Sequence, residues 1–344
     1  MGAVADAEVP AGIDAGPVTE WFDAHVGGAV APLAFARVAG GHSCLTYVVL
    51  DAAGSRFVLR RPPLGHVLAS AHDVVREHRI MAALEGTAVP VPRMLGVCPD
   101  GEVNGAPFYV MSFVDGPVLH TAEDARERLP SDAARRRAAE TLVDALVALH
   151  ALDPDEVGLG QLSRRSGYLD RQLKRWSAQW EASRTRDLPA MERLHAWLVE
   201  HRPAESSARI VHGDYRLGNC VHDPTDGRVL AMLDWELCTL GEALADVSYL
   251  LRSWSGGEGV SSAPGFPGWE EVAARYAAGS GRSIADLDYW MAFNAWRSAA
   301  IAEGVYRRYL DGNMGEAPEG VDGYARGVEM SVRAGLQAAA LDPG

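Results

Sequence analysis

The sequence predicts an α+β protein of two lobes, a small strand-rich one over residues 1–114 and a larger, mainly helical one over 115–344. Three observations predict it. Short runs rich in β-branched and aromatic residues (Ala34–Val38, Thr46–Asp51, Arg56–Arg60, Pro90–Val97, Phe108–Val114) are separated by Gly, Pro and polar turns. Asp115-Gly116-Pro117 then breaks that pattern sharply. Beyond the break, apolar residues recur at helical spacing, as in Leu142, Leu146 and Leu149, or Leu169, Leu173, Trp176 and Trp180.

In order, residues 1–16 form an acidic leader and Val18–Val26 a short helix with Trp21, Phe22 and His25 on it. The first two strands meet through Gly40-Gly41-His42-Ser43, a spacing that suits a plain hairpin and lacks the GxGxxG pattern of a phosphate loop. Pro62-Pro63 ends the third strand. A helix follows over Ser70–Leu84, with Ser70 as its cap and Asp73 at the capping-box position. Val74, Ile80, Met81 and Leu84 supply its apolar side. Glu77 lies mid-helix, either as a solvated charge or as a carboxylate partner for Arg60 on the preceding strand.

Past the break, helices are expected over Ser131–Leu149, Tyr168–Glu181 and Met191–His201. His150 reads as a core residue or as a cation at a helix C-terminus. Further helices follow over Val247–Trp254, Trp269–Ala278, Asp286–Tyr309 (long, apolar and buried) and Tyr324–Ala340.

Composition excludes several function classes. With 344 residues, 48% of them hydrophobic, the chain is ample for packed cores. The formal charge of −14 disfavours nucleic acid as a partner. No apolar run approaches the roughly 18–20 residues of a spanning helix, so no membrane partner is expected. No basic, then apolar, leader is visible at the N-terminus. Cys44, Cys98, Cys220 and Cys238 are too scattered for a metal clip or a disulfide framework, which points to a reducing cytoplasm. Lys174 is the only lysine among 32 basic residues, so roles usual for lysine must fall to arginine.

The chemistry concentrates between Ile210 and Asp246. There an apolar run leads into His212-Gly213-Asp214, Asn219 follows at i+5, and a second apolar run ends at Asp234-Trp235-Glu236. Hard oxygen donors at this spacing suit a divalent cation beside a hydroxyl that must lose its proton, the requirements of phosphoryl transfer. A metallophosphatase would use similar residues, but it needs further His and Asn ligands, for which only His222 and Asp223 lie near.

The ordered set of strand, His212-Gly213-Asp214, Asn219, strand and Asp234, with a strand-rich lobe and Glu77 upstream, resembles the aminoglycoside phosphotransferase/choline kinase branch of the protein-kinase-like fold. The resemblance spans roughly Ala34 to Ala302. It implies a bilobal kinase-like architecture and an ATP- and Mg²⁺-dependent transfer of the γ-phosphoryl to a small-molecule hydroxyl. Asp214 matches the catalytic base, and Asn219 and Asp234 the metal ligands. His212 and Asp246 match residues that support the loop. Gly41 and Ser43 occupy the place of the phosphate-covering loop, and Met111 and Phe113 that of the interlobe hinge beside adenine. Arg60 stands where kinases carry the phosphate-binding lysine, with Glu77 as its partner. This departs from the common pattern and leaves open a catalytically silent nucleotide-binding protein.

The stretch from Leu59 through His66 and Ser70–Asp73 to Glu77 is most similar to a subgroup that includes kinase-like domains fused to acyl-CoA dehydrogenases, which act on hydroxyacyl-CoA. Between Gln161 and Arg186, seven bases stand against two acids. Lining an acceptor cleft, they would favour an anionic acceptor over an aminoglycoside or other amino alcohol; as a solvated helix face they would say nothing about it.

Overall fold

The computed structural model describes residues 9–38, 44–64, 73–254, 259–312 and 321–342. The strands β1 (Ala34–Arg37), β2 (Leu45–Leu50), β3 (Arg56–Arg61), β4 (Met94–Cys98) and β5 (Phe108–Ser112) form one antiparallel sheet in the order β1-β2-β3-β5-β4. Period-2 alternation sorts its two faces. Phe57, Leu59, Phe108 and Val110 pack against Val18, Trp21 and Phe22 of α1 (Ala15–His25). Val58, Tyr109 and Met111 point the other way, onto Val74, Ile80, Met81 and Leu84 of α2 (Val74–Leu84). Arg60 shares that second face with Val58 and is the register partner of Tyr109. The alternation that buries β3 therefore also aims Arg60 at α2 and the larger lobe.

The N-terminus of α2 differs from expectation. It begins at Val74 and its cap is Asp73, whose side chain accepts from the Arg76 amide at 2.9 Å. Ser70 lies outside the described residues. In α2, Val74, Glu77, Ile80, Met81 and Leu84 form one buried stripe at i, i+3, i+6, i+7 and i+10, so Glu77 is turned inward and only 1% exposed. The solvated-charge reading of Glu77 is thereby excluded.

After the sheet the chain is mainly helical: α3 (Ala122–Arg128), α4 (Asp132–Ala151), α5 (Tyr168–Ser183), α6 (Pro189–Glu200), α7 (Ala243–Trp254), α8 (Trp269–Ser280), α9 (Leu287–Leu310) and α10 (Asp322–Ala338). Short α3 was not foreseen; it carries a capping box between Thr121 and Asp124. Helices α4, α7 and α8 share a core with α2 and the cleft side of the sheet, while α5, α6, α9 and α10 build a second core around Trp180, Phe293 and Trp296.

Two small ribbons complete the fold. β6 (Arg209–Val211) pairs with β9 (Thr239–Gly241), and β7 (Cys220–His222) with β8 (Val229–Met232). The crossing between lobes is tight at Gly116, where a Cβ would lie 2.1 Å from the His222 carbonyl oxygen, so the connection passes only as glycine. All four cysteines are buried free thiols. Among the described residues, no helix is long and apolar enough to cross a membrane.

Candidate active site

A cleft of about 500 Å³ lies between the sheet and the helical lobe. Its lining brings together Thr46, Arg60, Tyr109 and Met111 from the sheet with Asp214, Asn219 and Asp234 from the segments between β6 and β9. Arg60 and Asp234, 174 positions apart in the chain, thus share one space.

The loop between β6 and β7 is built around a buried carboxylate. Asp246 lies in the first turn of α7, which starts at Ala243, earlier than the sequence suggested. Its Oδ2 accepts from the His212 amide at 2.6 Å and its Oδ1 from the Gly213 amide at 2.8 Å. His150 Nε2 lies 3.3 Å from Asp246 Oδ2, and His150 Nδ1 is 2.8 Å from the Tyr276 hydroxyl. Burial by itself would push the Asp246 carboxyl up. Hydrogen bonding to His150, the neighbouring histidines and the Gly213 amide outweigh it and hold the group below the usual carboxylate range. His150 is therefore a buried partner of Asp246.

Gly213 has φ +88°, and a Cβ there would meet the Leu237 carbonyl oxygen at 2.7 Å. Glycine is required on both counts. The His212 ring accepts from the Asp214 amide through Nδ1 (3.3 Å), leaving Nε2–H to donate to the Leu233 carbonyl at 2.9 Å. His212 thus ties the loop to the chain just before Asp234.

Asp214 and Asn219 are held together locally. Asn219 Nδ2 donates to the Asp214 backbone oxygen and to its Oδ2, both at 2.7 Å. With the amide nitrogen committed twice, the Asn219 side-chain oxygen is the atom left for a cation. Asp234 takes a left-handed conformation, φ 66°, immediately before a single 3-10 turn, Trp235–Leu237. Fully buried Trp235 anchors that turn by donating to the Met232 carbonyl at 3.1 Å. Arg76 of α2 donates to the Glu236 and Cys238 carbonyls, so α2 holds the turn as well.

Arg60 spans the cleft. Its Nε bonds Glu77 Oε2 at 3.0 Å and its Nη2 bonds Asp234 Oδ1 at 2.7 Å, with Thr46 Oγ1 at 3.4 Å from Nη1. Tyr109 donates to the same Glu77 oxygen at 3.2 Å. Burial disfavours the guanidinium charge, yet the surrounding groups, Glu77 and Asp234 among them, hold Arg60 protonated well above its ordinary range. Burial also raises Glu77, and Arg60 opposes this without fully offsetting it. Ligand atoms of Cys44, Glu77 and Glu236 cluster within 4.8 Å. The Cys44 thiol is pushed by burial up to about 12 and stays protonated, so Arg60 supplies the balancing charge there.

Of the remaining expected site residues, Met111 lines the cleft, whereas Phe113 does not and instead lies under the Arg56 guanidinium at 4.1 Å. Gly41 and Ser43 lie outside the described residues. The basic Gln161–Arg186 segment contributes no residue to the cleft lining. Arg165, Arg184 and Arg186 pair with Asp155, Glu181 and Glu303, and Arg171 donates to the Arg164 and Ser166 carbonyls. Arg175 differs: it lies over Trp176 at 4.9 Å, and the charge of Arg297 acts on it.

Sequence reasoning missed Tyr109, Tyr249 and Arg297. Arg297 is 6% exposed, donates to the Gly213 carbonyl at 3.0 Å, and lies over Trp176 at 5.3 Å and Tyr249 at 5.4 Å. Arg297 stands at the centre of the apolar 286–309 run, ten residues before the Arg307-Arg308 pair, and that placement was the signal for it.

Comparison with known proteins agrees with this fold. The model of a family described as "Phosphotransferase enzyme family" matches residues 34–293. Acyl-CoA dehydrogenase family member 10 of Mus musculus is 36% identical over 83% of this chain and 27% of its own length. Family member 11 of Gallus gallus is 34% identical over 89% of this chain and 40% of its own. The chain thus spans a quarter to two fifths of these relatives. A crystal structure of a putative aminoglycoside phosphotransferase from Ralstonia eutropha superposes with TM-score 0.82 at 33% identity, covering 95% of this chain and 98% of that one. Aminoglycoside phosphotransferase APH(4)-Ia, in ternary complex with AMP-PNP and hygromycin B, shares the fold at TM-score 0.60 and 16% identity, over 92% of this chain and 98% of that one. The architecture is a protein-kinase-like phosphotransferase fold, and by sequence, fold and family match the chain belongs to the phosphotransferase enzyme family of small-molecule kinases.

Proposed function

We propose that this kinase transfers the γ-phosphoryl of ATP, with Mg²⁺, to a hydroxyl of an anionic small molecule. The observation that carries the reading is the convergence of Asp214, Asn219, Asp234 and the Arg60–Glu77 pair on one cleft. Asp214 accepts the acceptor's hydroxyl proton. Asn219 fixes the orientation of its carboxylate through the 2.7 Å bond to Oδ2. The Asn219 side-chain oxygen and the Asp234 carboxylate are a hard donor set that fits Mg²⁺, and the Arg60 cation at Asp234 Oδ1 marks where positive charge is favoured. Bound there, Mg²⁺ would neutralise phosphate charge. Arg60 would turn its guanidinium to the α- and β-phosphates bidentately while Glu77 and Tyr109 brace it. Met111 would border the adenine. Nucleotide complexes of the APH(4)-Ia fold support ATP as donor.

An anionic acceptor is supported by the charges around Asp214. Arg216 Nε is 3.8 Å from Asp214 Oδ2, and Arg297, 5.4 Å from the Tyr249 ring, donates to the Gly213 carbonyl next to Asp214. The charge of Arg297 also acts on Arg175 of α5. A polycationic aminoglycoside would be repelled here. The relatives fused to acyl-CoA dehydrogenase sequences make hydroxyacyl thioesters natural first acceptors to assay.

The test is nucleotide consumption by the purified chain with MgATP and panels of hydroxyacyl-CoAs, sugars, amino alcohols and aminoglycosides. Turnover with an anionic acceptor, lost in Asp214→Ala and with KM raised about tenfold in Arg216→Gln, is expected because Arg216 lines the cleft beside Asp214. Efficient phosphorylation of an aminoglycoside would overturn the acceptor class. A second reading, a silent nucleotide-binding protein, draws on Arg60 occupying Asp234. Binding of ATP without any Asp214-dependent hydrolysis would favour it.

A further inference from the structure

Arg60 has a separate partner for each of its guanidinium nitrogens. Nε bonds Glu77 Oε2 at 3.0 Å, Nη2 bonds Asp234 Oδ1 at 2.7 Å, and Nη1 lies 3.4 Å from Thr46 Oγ1. The Glu77 contact stays beside the sheet, on α2, whereas the Asp234 contact crosses the cleft. The two differ in how readily they are given up. The Glu77 side chain is 1% exposed and its Oε1 has no hydrogen-bond partner, so its charge is met through Oε2 alone, by Arg60 and Tyr109. The Asp234 side chain is 29% exposed and open to water or to another cation. A guanidinium can make both contacts at once because its planar donors point in fixed, different directions. An ammonium would gather its donors on one atom.

We propose that Arg60 is an internal counter-ion of the metal site. It holds Asp234 Oδ1 until the phosphates of a nucleotide draw its Nη edge away, so Asp234 takes a divalent cation only together with nucleotide. This rests on the reading of Asp234 as a metal ligand. A hard divalent cation seeks the same carboxylate and repels a neighbouring guanidinium, so the two cations compete for Asp234. Phosphate oxygens suit a guanidinium fork, and Nη1 and Nη2 can turn to them while Nε stays on Glu77. Thr46, Arg60 and Asp234 all line the one cleft, so the exchange is confined to it. Nucleotide binding and the release of Asp234 are then one event. By linkage, metal and nucleotide each raise the other's affinity by the same factor, and one side chain carries that coupling.

The test is Mn²⁺ binding to the full chain, followed by electron paramagnetic resonance without nucleotide and with a non-hydrolysable ATP analogue. Without nucleotide, Arg60→Met should bind Mn²⁺ about tenfold more tightly than the parent, a factor within the usual range of coupling between sites, while its affinity for the analogue falls. The gain should vanish when Asp234→Asn is added to Arg60→Met. A gain that persists there puts the ion on another group, such as Glu77, and overturns the proposal. Arg60→Lys keeps a cation beside buried Glu77, so it folds even if Arg60→Met is too unstable to assay, and its Mn²⁺ affinity should change in the same direction. Binding no tighter than the parent's in both variants overturns the proposal. Asp234→Asn alone, run with the analogue, separates the two levels. Undiminished Mn²⁺ binding there removes the metal-ligand reading, and this inference with it. Binding weakened there, but unchanged without nucleotide in both Arg60 variants, removes this inference alone.

Discussion

Arg60→Met should unmask the cost of burying Glu77, and should do so in a pH-dependent way. Glu77 is 1% exposed at its side chain and Arg60 13%, so solvent replaces little of the lost interaction. Removing one partner of such a buried pair costs about 3–5 kcal/mol. The Tyr109 hydroxyl still donates to Glu77 Oε2, which favours the lower end. Asp234 is 29% exposed and recovers through water, so the loss traces mainly to Glu77.

The sign follows from Glu77's own titration. Burial already raises it in the parent protein, with Arg60 opposing, and removing Arg60 raises it further. A carboxyl with a raised folded pKa binds its proton more tightly folded than unfolded. It therefore destabilises increasingly as pH rises above the unfolded value of about 4.3, until its folded pKa is passed. The variant's deficit should be about 3 kcal/mol at pH 8 and shrink by up to ~1.4 kcal/mol per pH unit on acidification through that window. Urea unfolding of parent and variant at a series of pH values measures it. A deficit constant with pH would refute the claim that Arg60 stabilises an ionised, buried Glu77.

Three further outcomes follow from the loop. Asp246→Asn should cost about 2–4 kcal/mol at neutral pH, because an amide cannot accept from both the His212 and Gly213 N–H groups and Asp246 is buried. The Asp246 carboxyl is depressed in the folded protein, so its contribution is present above the unfolded value of about 3.9 and fades as pH falls through the folded pKa; denaturant midpoints should show the parent–variant gap closing only in strong acid. Gly213→Ala forces a Cβ against the Leu237 carbonyl at positive φ, and should lower the thermal midpoint and abolish ATP hydrolysis together. Asp234→Asn should weaken Mn²⁺ binding, followed by electron paramagnetic resonance with a non-hydrolysable ATP analogue, by tenfold or more while leaving the fold intact.

The local part of the site was legible in the sequence. Asp214 and Asn219 belong to one loop, so their spacing alone implies that they meet, and the 2.7 Å bonds between them are short-range in the chain. Asp234 at the end of an apolar run, the strand-to-helix change near Asp115, and the pairing of Arg60 with Glu77 were likewise open to periodicity and residue chemistry. Interpretation weakened where a side chain had several partners within reach. The bases of the Gln161–Arg186 segment look alike in sequence, yet nearby acids and carbonyls absorb Arg165, Arg171, Arg184 and Arg186, while Arg175 lies over Trp176 and feels the charge of Arg297.

By itself the sequence determined the strand-rich and mainly helical parts, because those depend on period and turn chemistry, and the kinase class through the resemblance its motifs carry; it also named the oxygen donors proposed above. Only the tertiary structure decided that Arg60 bridges both lobes to Asp234, and that Arg297 of α9 reaches the Gly213 carbonyl. Those contacts join elements far apart in the chain. Their geometry is set by how two hydrophobic cores pack, which no window of residues encodes.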